Sequence, residues 1–342
     1  MRTPVRHILC LAATSLLLLS CLPDPPEPVA DTFPVLEGPY LGQTPPGNEP
    51  QLFAPGIINT GLYTRDVAMM PDGSEMYFGV SLGNYQLTAI LVTRQVDGRW
   101  TEPEAAPFSA DPRWSDIEPA IATDGETLYF ASTRPADGGK DAEEHHSIWA
   151  MKRTGAGWGE PHRLSETIND GSSNFFPSVT QDGTLYFTRD LPDGGNAIFR
   201  SRYLDGEYAT PEQLPKQVNA TRNQFNAFIA PDESYLIVPI FGMPDSIGAT
   251  DYYIVYRAPD DTWSEPINLG TKINTEGGLE YAPYVSRDGK YFFFMSSRSK
   301  AIELAGSQLT LARMLELHST PETGLPGIWW VEAGFLEDLK PR

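Results

Sequence analysis

The chain has 342 residues, with 45 Asp and Glu against 25 Lys and Arg, which gives a formal net charge of −20. This charge argues against a nucleic-acid-binding protein, because the phosphates would be repelled. An apolar fraction of 40% and an aromatic fraction of 11% argue against a disordered chain. Two cysteines are too few for a disulfide framework or a cysteine-rich metal site.

The first twenty residues are typical of a secretory signal peptide. Arg2 and Arg6 form a short basic region, and the apolar run over 8–19 is too short to span a bilayer. The four residues LLSC that end at Cys21 resemble the lipobox of bacterial lipoproteins. That resemblance implies removal of residues 1–20 and acylation of Cys21, and Leu22 after it implies the outer membrane of a Gram-negative envelope. The alternative is an ordinary signal peptide with an incidental cysteine.

A proline-rich segment follows the predicted signal peptide. Nine of the 29 residues over 22–50 are proline, and such a segment favours extended polyproline conformations at about 3.1 Å per residue. We expect residues 21–47 to form a tether that packs no core of its own and holds a folded body, residues 48–342, away from the lipid.

The rest of the chain contains five copies of one pattern, in which a strand, an acidic turn and a second strand follow one another. The turn aspartates recur at intervals of 50 to 58 residues, at Asp72, Asp124, Asp182, Asp232 and Asp288. Asp-Gly between two apolar runs predicts a hairpin, because glycine adopts positive φ without penalty. The fourth turn departs from this pattern, since Glu233 replaces the glycine. The predicted hairpins cover 66–78, 118–130, 176–187, 226–238 and 282–294.

Two more strand-like runs follow each of the first four hairpins, and the last of them carries an aromatic residue and a proline. A recurring proline confines this fourth strand to the outer edge of a sheet. The fifth repeat has a third strand over 327–333 but no fourth, whereas residues 48–61 resemble 264–277. We therefore predict an all-β fold: a five-bladed β-propeller of four-stranded antiparallel blades, closed by an N-terminal strand that completes the last blade.

These repeats resemble WD40-like propeller repeats of the TolB type. The hairpins share the pattern D-G-x-x-L-Y-F, and G-x-W-x-E-P and Ile-Asn recur between them, over nearly all of residues 48–342. The resemblance implies a bacterial envelope protein with a single propeller. That group includes binding scaffolds and peptidase-associated propellers, so it indicates the fold and not the activity. No residues match a catalytic signature of the group.

Eight polar residues are predicted to meet at one mouth of the central channel, where the first strands begin and the second strands end. The strand starts hold Asp66, Glu118, Asn174, Asn226 and Glu280, and the ends of the second strands hold Arg134, Arg189 and Arg298. Arginines suit carboxylate or phosphate groups, and the acids suit sugar hydroxyls or a cation. The alternative is that Glu118–Arg134 and Glu280–Arg298 are structural ion pairs within their blades. Arg189 has no acid at the matching position and is the strongest candidate for a ligand contact.

The same face is expected to carry the longest insertions. These insertions cover 135–146, 242–251 and 299–326. Insertions concentrated on one face of a repeat protein often mark its binding face. The run over 301–318 has apolar residues at mainly helical spacing and predicts one helix that lies on the propeller. These residues are Leu304, Leu311, Met314 and Leu315.

No metal and no cofactor is predicted. His145 and His146 follow two glutamates, but the spacing is not that of a metal-binding motif. GxSxG, phosphate-loop and dinucleotide motifs do not occur in the sequence. We favour a monomeric, non-catalytic binding or scaffold module for a protein or glycan partner. The alternative is a glycan-directed hydrolase, which needs two carboxyl groups about 5–9 Å apart; Asp66, Glu118 and Glu280 are the candidates.

Overall fold

The protein is a five-bladed β-propeller. The computed structural model describes residues 33–155, 157–306 and 308–341. Five small antiparallel sheets form the blades, and the predicted all-β class and blade count are confirmed. Within these ranges, every helix is too short or too polar to cross a bilayer. The predicted signal peptide, Cys21 and the tether up to residue 32 lie outside the described residues.

Each blade pairs central strands with a two-residue edge strand. The first strand in the sequence is β1 (Gln51–Leu52). Blade 1 follows with β2 (Tyr63–Met69), β3 (Glu75–Leu82), β4 (Leu87–Val96), β5 (Arg99–Trp100) and β6 (Glu104–Ala105). Blade 2 has β7 (Asp116–Ile121), β8 (Thr127–Ser132), β9 (Ser147–Thr154), β10 (Gly157–Trp158) and β11 (His162–Arg163). Blade 3 has β12 (Asn174–Val179), β13 (Leu185–Asp190), β14 (Asn196–Ser201), the hairpin β15 (Tyr203–Leu204) and β16 (Glu207–Tyr208), and β17 (Glu212–Gln213). Blade 4 has β18 (Phe228–Ile229), β19 (Tyr235–Phe241), β20 (Thr250–Tyr256) and β21 (Ile267–Asn268), and blade 5 has β22 (Glu280–Val285), β23 (Tyr291–Ser296) and β24 (Gly327–Glu332).

In every blade, one edge strand begins directly after a proline. Pro103, Pro161, Pro211 and Pro266 precede β6, β11, β17 and β21, and Pro50 precedes β1. Proline has no N–H to give to a ladder, so it marks the outer edge of each blade and blocks further pairing there.

The N-terminal strand closes the ring. β1 pairs antiparallel with β24, with Gln51 opposite Trp330 and Leu52 opposite Trp329. The N–H of Phe53 extends this ladder by donating to the carbonyl of Ile328 at 2.9 Å. The predicted completion of blade 5 by residues from the other end of the chain is therefore confirmed.

The folded body begins earlier than the composition predicts. A tether that reaches residue 47 is wrong, because Val35 onward belongs to the compact body. Leu41 is fully buried in one apolar cluster with Trp330, and the carbonyl of Leu36 accepts the N–H of Trp100 at 2.9 Å. The segment forms a short 3-10 helix over Tyr40–Gly42, and its few apolar side chains fill the seam between blades 1 and 5.

The hydrophobic core is divided among the seams between blades. Five clusters of buried apolar side chains each join neighbouring blades. In one of them, Ile254 of blade 4 lies in a cluster with Phe292 of blade 5. A sixth cluster lies at the channel and includes Phe176 and Tyr281. Stability thus depends on contacts between blades as much as on each sheet.

A buried or partly buried side chain locks each edge loop onto the third strand of the same blade. In the Ile-Asn motif, which reads Val-Asn at 218–219, the asparagine Oδ1 accepts the N–H of a strand residue and Nδ2 donates to the carbonyl of that same residue. The pairs are Asn59 with Ile328, Asn169 with Ile148, Asn219 with Ile198 and Asn274 with Tyr252. In blade 1, Ser109 Oγ accepts only the N–H of Ile90, at 2.9 Å. The repeated motif is thereby explained as a structural device.

The longest insertion contains two short helices rather than the one predicted over 301–318. They are α1 (Ala301–Ala305) and α2 (Leu311–His318), and a third helix, α3 (Phe335–Asp338), follows blade 5. Gly306 follows α1 with a φ of 71°, which ends the helix. Thr310 begins α2, since its hydroxyl accepts the N–H of Arg313 at 3.1 Å.

Candidate functional site

Each inner strand carries one residue with left-handed backbone at the channel. These residues have φ between 49° and 60° and are Asp66, Glu118, Phe176, Asn226 and Ala282. In four blades a shift of the ladder register, a β-bulge, accompanies them. Only three of the predicted site residues occupy this ring position. Asn174 and Glu280 lie two residues earlier, at the first pair of their ladders.

Arg65 holds the acids of blades 1 and 2 together. Its Nε donates to Asp66 Oδ1 at 2.9 Å, and its Nη2 donates to Glu118 Oε1 at 2.6 Å. The side chain of Asn226, from blade 4, donates to the same Glu118 oxygen at 2.9 Å. All four residues are buried, and we call them the channel cluster. The structure therefore brings Asp66, Glu118 and Asn226 together, as predicted for the channel.

Sequence reasoning missed Arg65. Alternation along a strand places neighbours on opposite faces, so Arg65 would point away from Asp66. The bulge at Asp66 breaks this alternation and brings both side chains into contact. The position of Arg65 directly before Asp66 is the one sequence signal that could have indicated the pair, since Glu118 has no basic neighbour.

The two acids also join consecutive blades through the backbone. Asp66 Oδ2 accepts the N–H of Glu118 at 3.2 Å, and Glu118 Oε2 accepts the N–H of Phe176 at 2.7 Å. The bulge residue of one blade thus binds the bulge residue of the next. This use of both carboxylates explains why they are buried without being open to a ligand.

Burial and charge act against each other in the channel cluster. Burial raises the pKa of Glu118 to about 7, although Arg65 opposes the rise. Burial also raises the pKa of Asp66, again against Arg65. Burial alone would lower the pKa of Arg65, but Asp66, Tyr85 and Glu118 raise it above its usual value. Arg65 therefore stays charged and is what makes the acids tolerable at the centre of the protein.

Aromatic side chains cover the channel cluster. Arg65 Nη1 donates to the hydroxyl of Tyr85 at 2.7 Å, which lies 3.0 Å from the hydroxyl of Tyr63 and 2.7 Å from that of Tyr281. The Arg65 guanidinium also lies 4.8 Å from the centre of the Tyr281 ring. Phe175 and Phe225 pack against the same apolar cluster. Aromatic rings therefore contact the channel cluster at the place where the sequence predicts a polar ligand site.

Glu280 differs from Asp66 and Glu118, because only one of its two carboxyl oxygens has a hydrogen-bond partner among the described residues. Oε1 accepts the hydroxyls of Thr275 at 2.6 Å and Ser296 at 3.0 Å. Oε2 is buried and has no hydrogen-bond partner among the described residues. Burial raises the pKa of Glu280 to about 7, so this carboxyl can keep its proton near neutral pH.

The predicted pairing of Glu118 with Arg134 is wrong. Arg134 Nη2 donates instead to Asp116 Oδ2 at 2.7 Å, because Asp116 lies opposite Ser132 near the end of the second strand. Glu118 lies beyond the bulge and turns toward Arg65. The predicted Glu280–Arg298 contact is also wrong, since Arg298 donates to the carbonyl of Ile273 at 2.6 Å.

Arg189 has more partners than its sequence position suggests. It donates to Asn174 Oδ1 at 2.8 Å and to the carbonyl of Ile168 at 2.7 Å, and its Nη1 lies 2.9 Å from Asp170 Oδ2. The acid comes from the preceding loop rather than from the strand, which is why strand register did not reveal it.

The three predicted arginines share one structural arrangement. Each guanidinium lies 4.8 to 5.4 Å from the centres of two aromatic rings of its own blade. Each also donates to a carbonyl of the loop that follows an edge strand. Arg134, Arg189 and Arg298 therefore remain in their separate blades and fasten loops, and they do not converge on one site.

Exposed apolar side chains are concentrated on one face. We call this the upper face; there the inner strands begin and the second strands end, and the Asp-Gly turns lie on the opposite, turn face. Of the fifteen large apolar residues that are exposed in the described part of the chain, eleven lie on the upper face. They are Leu62, Leu82, Leu87, Phe241, Leu279, Ile302, Leu309, Leu311, Met314, Leu315 and Leu325.

Helix α2 turns its apolar stripe outward. Leu311, Met314 and Leu315 are 77%, 52% and 61% exposed, whereas Leu317 is buried. The prediction that this segment lies on the propeller through its helically spaced leucines is therefore wrong. The stripe points to solvent because only one side of a short helix can pack, and Leu317 occupies that side.

Acidic loops share the upper face with this stripe. The loops over 135–146, 191–195 and 242–249 join the second and third strands of blades 2, 3 and 4, and we call them the acidic loops. They contain a single lysine, Lys140, against six acids, none of which forms an ion pair with another described residue. The acids are Asp137, Asp141, Glu143, Glu144, Asp193 and Asp245.

Comparisons with known proteins indicate the fold. No protein-family model and no curated protein matches the sequence. A solved structure described as a glycoside hydrolase has a TM-score of 0.51 at 11% identity and covers 86% of this chain and 93% of its own. TolB-type propellers are further neighbours: one from Agrobacterium tumefaciens (TM-score 0.44, 14% identity, 69% of this chain and 70% of that one) and TolB from Acinetobacter baumannii (0.44, 11%, 80% and 57%). At such identities these likenesses concern the fold alone.

Proposed function

We propose that the protein is a non-catalytic binding or scaffold module of the bacterial envelope that meets a protein partner on its upper face. The observation that carries this proposal is the use of the predicted site acids inside the fold. Asp66 and Glu118 are bound by Arg65 and by backbone N–H groups. The exposed apolar side chains of the upper face supply the alternative site.

The envelope location rests on the sequence around Cys21. We propose that residues 1–20 are removed, that acylated Cys21 anchors the protein in the outer membrane, and that residues 21–34 form the tether. Two or three acyl chains give stable anchoring, whereas one chain is marginal. The tether is thus shorter than composition alone indicates, because the body begins at Val35.

A glycan-directed hydrolase is the weaker proposal. Such an enzyme needs a pair of carboxyl groups on either side of a bound sugar. Around the channel mouth, Glu280 Oε2 is the single carboxylate oxygen of Asp66, Glu118 and Glu280 that has no partner among the described residues. Its side chain is fully buried, and aromatic rings cover the other two acids.

Site-directed cross-linking in cells tests the binding proposal. A photo-reactive amino acid replaces Leu87 or Leu279 on the upper face, and Val96 on the turn face serves as the matched control, since all three are exposed. We expect one discrete adduct from the upper-face positions and none from Val96. Equal labelling from both faces, or none from either, would contradict the proposal.

An activity screen separates the two functions. Purified protein is assayed on acidic and neutral oligosaccharides, including peptidoglycan fragments, and we expect no turnover. Turnover that is lost in both Glu118→Gln and Glu280→Gln, while each variant keeps its fold, would establish the hydrolase instead.

A further inference from the structure

Helices α1 and α2, together with Leu309 before α2, present exposed apolar side chains to solvent. Ile302 is 91% exposed and Leu309 60% exposed, and they accompany the stripe formed by Leu311, Met314 and Leu315 on α2. We call these five residues the apolar crest. The positions i, i+3 and i+4 of the stripe form one side of a helix, so a partner meets a row of side chains rather than isolated ones. Such rows on a soluble protein mark sites of interaction.

The fold imposes the outward direction of the apolar crest. The base of the insertion is closed by an ion pair of 2.6 Å between Lys300 and Glu322. Leu317, on the inner side of α2, is buried. Gly61 lies so close to Ser319 that a Cβ at Gly61 would come within 2.6 Å of the Ser319 carbonyl carbon. The helix therefore cannot roll over to bury its stripe without losing these contacts.

Negative charge predominates on the upper face, although the exposed Arg222 donates to the carbonyls of Asp193 and Gly194 in the blade 3 loop. The basic groups of the insertion are occupied within it, since Arg313 pairs with Glu316 at 2.7 Å and Lys300 pairs with Glu322. Glu303, on the outside of α1, and the acidic loops of blades 2 to 4 keep their charges free of any ion pair among the described residues. An incoming surface thus meets apolar contacts over blade 5 and negative charge over blades 2 to 4.

We propose that the upper face receives a protein segment in which an apolar, helix-sized anchor is joined to a Lys- and Arg-rich flank. The anchor covers the apolar crest and the flank lies on the acidic loops. This proposal rests on the proposed function as a binding module and specifies the chemistry of the partner. Burial of the apolar crest supplies affinity, and the opposite charges supply orientation and association rate.

Two other occupants fit the charges less well. A membrane surface with anionic head groups would be repelled by the acidic loops, which lie on the same face as the crest. A second copy of this chain, placed face to face, would bring the acidic surfaces of two molecules of net charge −20 toward each other. A basic protein segment avoids both penalties.

Binding of designed peptides to the full-length protein tests the proposal. The probe is an 18-residue helical peptide of Leu and Lys, and the matched peptides are a Leu/Glu helix and a Lys/Ser peptide of equal charge to the probe. We expect the Leu/Lys probe to bind, the Leu/Glu helix not to bind, and the Lys/Ser peptide to bind at least tenfold more weakly. Binding of the probe should weaken as salt is added.

Variants of the protein separate the two halves of the site. We expect the double change Leu311→Glu and Leu315→Glu to weaken probe binding at least tenfold, and Asp141→Lys with Glu144→Lys to weaken it several-fold and reduce its salt dependence. Val96→Glu and Glu207→Lys are the matched turn-face controls and should change nothing. If the first double variant melts below the wild type, Leu311→Gln with Leu315→Gln replaces it.

Several results would overturn the proposal. Equal binding of the Lys/Ser peptide would show charge attraction alone, and equal loss in the Val96→Glu control would show that no defined site exists. Binding to anionic vesicles, or a crest-dependent dimer in sedimentation, would replace the basic segment with a membrane or a second copy. Cross-links from Leu87 that the probe does not compete would refute this partner chemistry and leave the proposed binding function intact.

Discussion

Arg65 is the residue on which the centre of the propeller depends. It is buried and contacts two buried carboxylates from different blades. Removing one partner of a buried ion pair costs about 3–5 kcal/mol, because a charge is left without compensation. The same acids also accept backbone N–H groups across the blades. The cluster is therefore a joint of the ring, placed where a ligand site was predicted.

Replacing Arg65 by Met tests this role. We expect Arg65→Met to destabilise the protein by about 3–5 kcal/mol near pH 8, and to do so less at pH 5, where the acids can take up protons. Adding Asp66→Asn and Glu118→Gln to Arg65→Met should restore part of the lost stability. Denaturant unfolding of each variant measures its free energy of unfolding. Arg99→Met, which breaks an ion pair between two exposed side chains, Arg99 and Glu37, is the control and should cost less than about 1 kcal/mol. If the triple variant is no more stable than Arg65→Met, Arg65 does not stabilise the ring by compensating the charges of Asp66 and Glu118.

Glu280 gives a testable dependence on pH. Burial raises its pKa from 4.5 to about 7 in the folded state, so between these values the native protein holds a proton that the unfolded chain has lost. The contribution of this group to stability is therefore present below about pH 4.5 and falls as pH rises to about 7. We expect Glu280→Gln to match the wild type at pH 5 and to melt a few degrees higher at pH 8, a gain on the order of 2 kcal/mol.

The glutamine keeps the oxygen that accepts the hydroxyls of Thr275 and Ser296, which is why the change is mild at low pH. Glu144→Gln on an exposed loop is the control and should leave the difference between the two pH values unchanged. If Glu280→Gln melts lower than the wild type at pH 8, the buried carboxyl is ionised and stabilising, and the pKa argument fails.

At the scale of elements, the blades can be predicted from local sequence signals. The arrangement of the candidate site depends instead on contacts between residues that are distant in the sequence. The Asp-Gly turns and the edge prolines act within a few residues, so strand order, blade count and ring closure followed from the sequence. The site assignment depended on bulges and loops. The bulge at Asp66 brings in Arg65, and a loop carries Asp170 to Arg189. A periodic sequence pattern does not indicate such contacts. For this reason the sequence suggests Arg134 as the partner of Glu118, whereas the structure shows Arg65.

The asparagine of the Ile-Asn motif should be intolerant even of a near-isosteric change. Asn219 accepts the N–H of Ile198 at 2.7 Å and donates to the carbonyls of Ile198 and Leu214 at 3.1 and 2.7 Å. An aspartate keeps the acceptor and loses both donors, which leaves two carbonyls facing a carboxylate. We expect Asn219→Asp to lower stability by about 2–4 kcal/mol, as measured by urea unfolding. Asn48→Asp, outside the motif, should have almost no effect on stability. If both variants lose the same stability, the hydrogen bonds of Asn219 do not hold the edge loop to the strand.

At the scale of the whole molecule, the N-terminal residues act as part of the last blade. A chain that begins at residue 34 should melt like the protein without its predicted signal peptide, because it keeps Leu41 and β1. A chain that begins at residue 48 should melt lower, since it loses the packing of Leu41 against the seam of blades 1 and 5. A chain that begins at residue 62 should melt lowest, because it also exposes the edge of β24. Equal melting temperatures for all three would refute ring closure by these residues.

We propose that attachment of the whole molecule to the envelope depends on a single side chain, that of Cys21. The residues that end at Cys21 resemble a lipobox, and in this proposal acyl chains at Cys21 are the anchor. We expect Cys21→Ser to move the protein from the membrane fraction to the soluble fraction of the envelope, as followed by immunoblotting after a high-salt wash. Cys10→Ser is the matched control: it lies within the predicted signal peptide, is removed with it, and should leave the protein on the membrane. If Cys21→Ser remains membrane-bound after the wash, the lipoprotein prediction is wrong and the anchor has another origin.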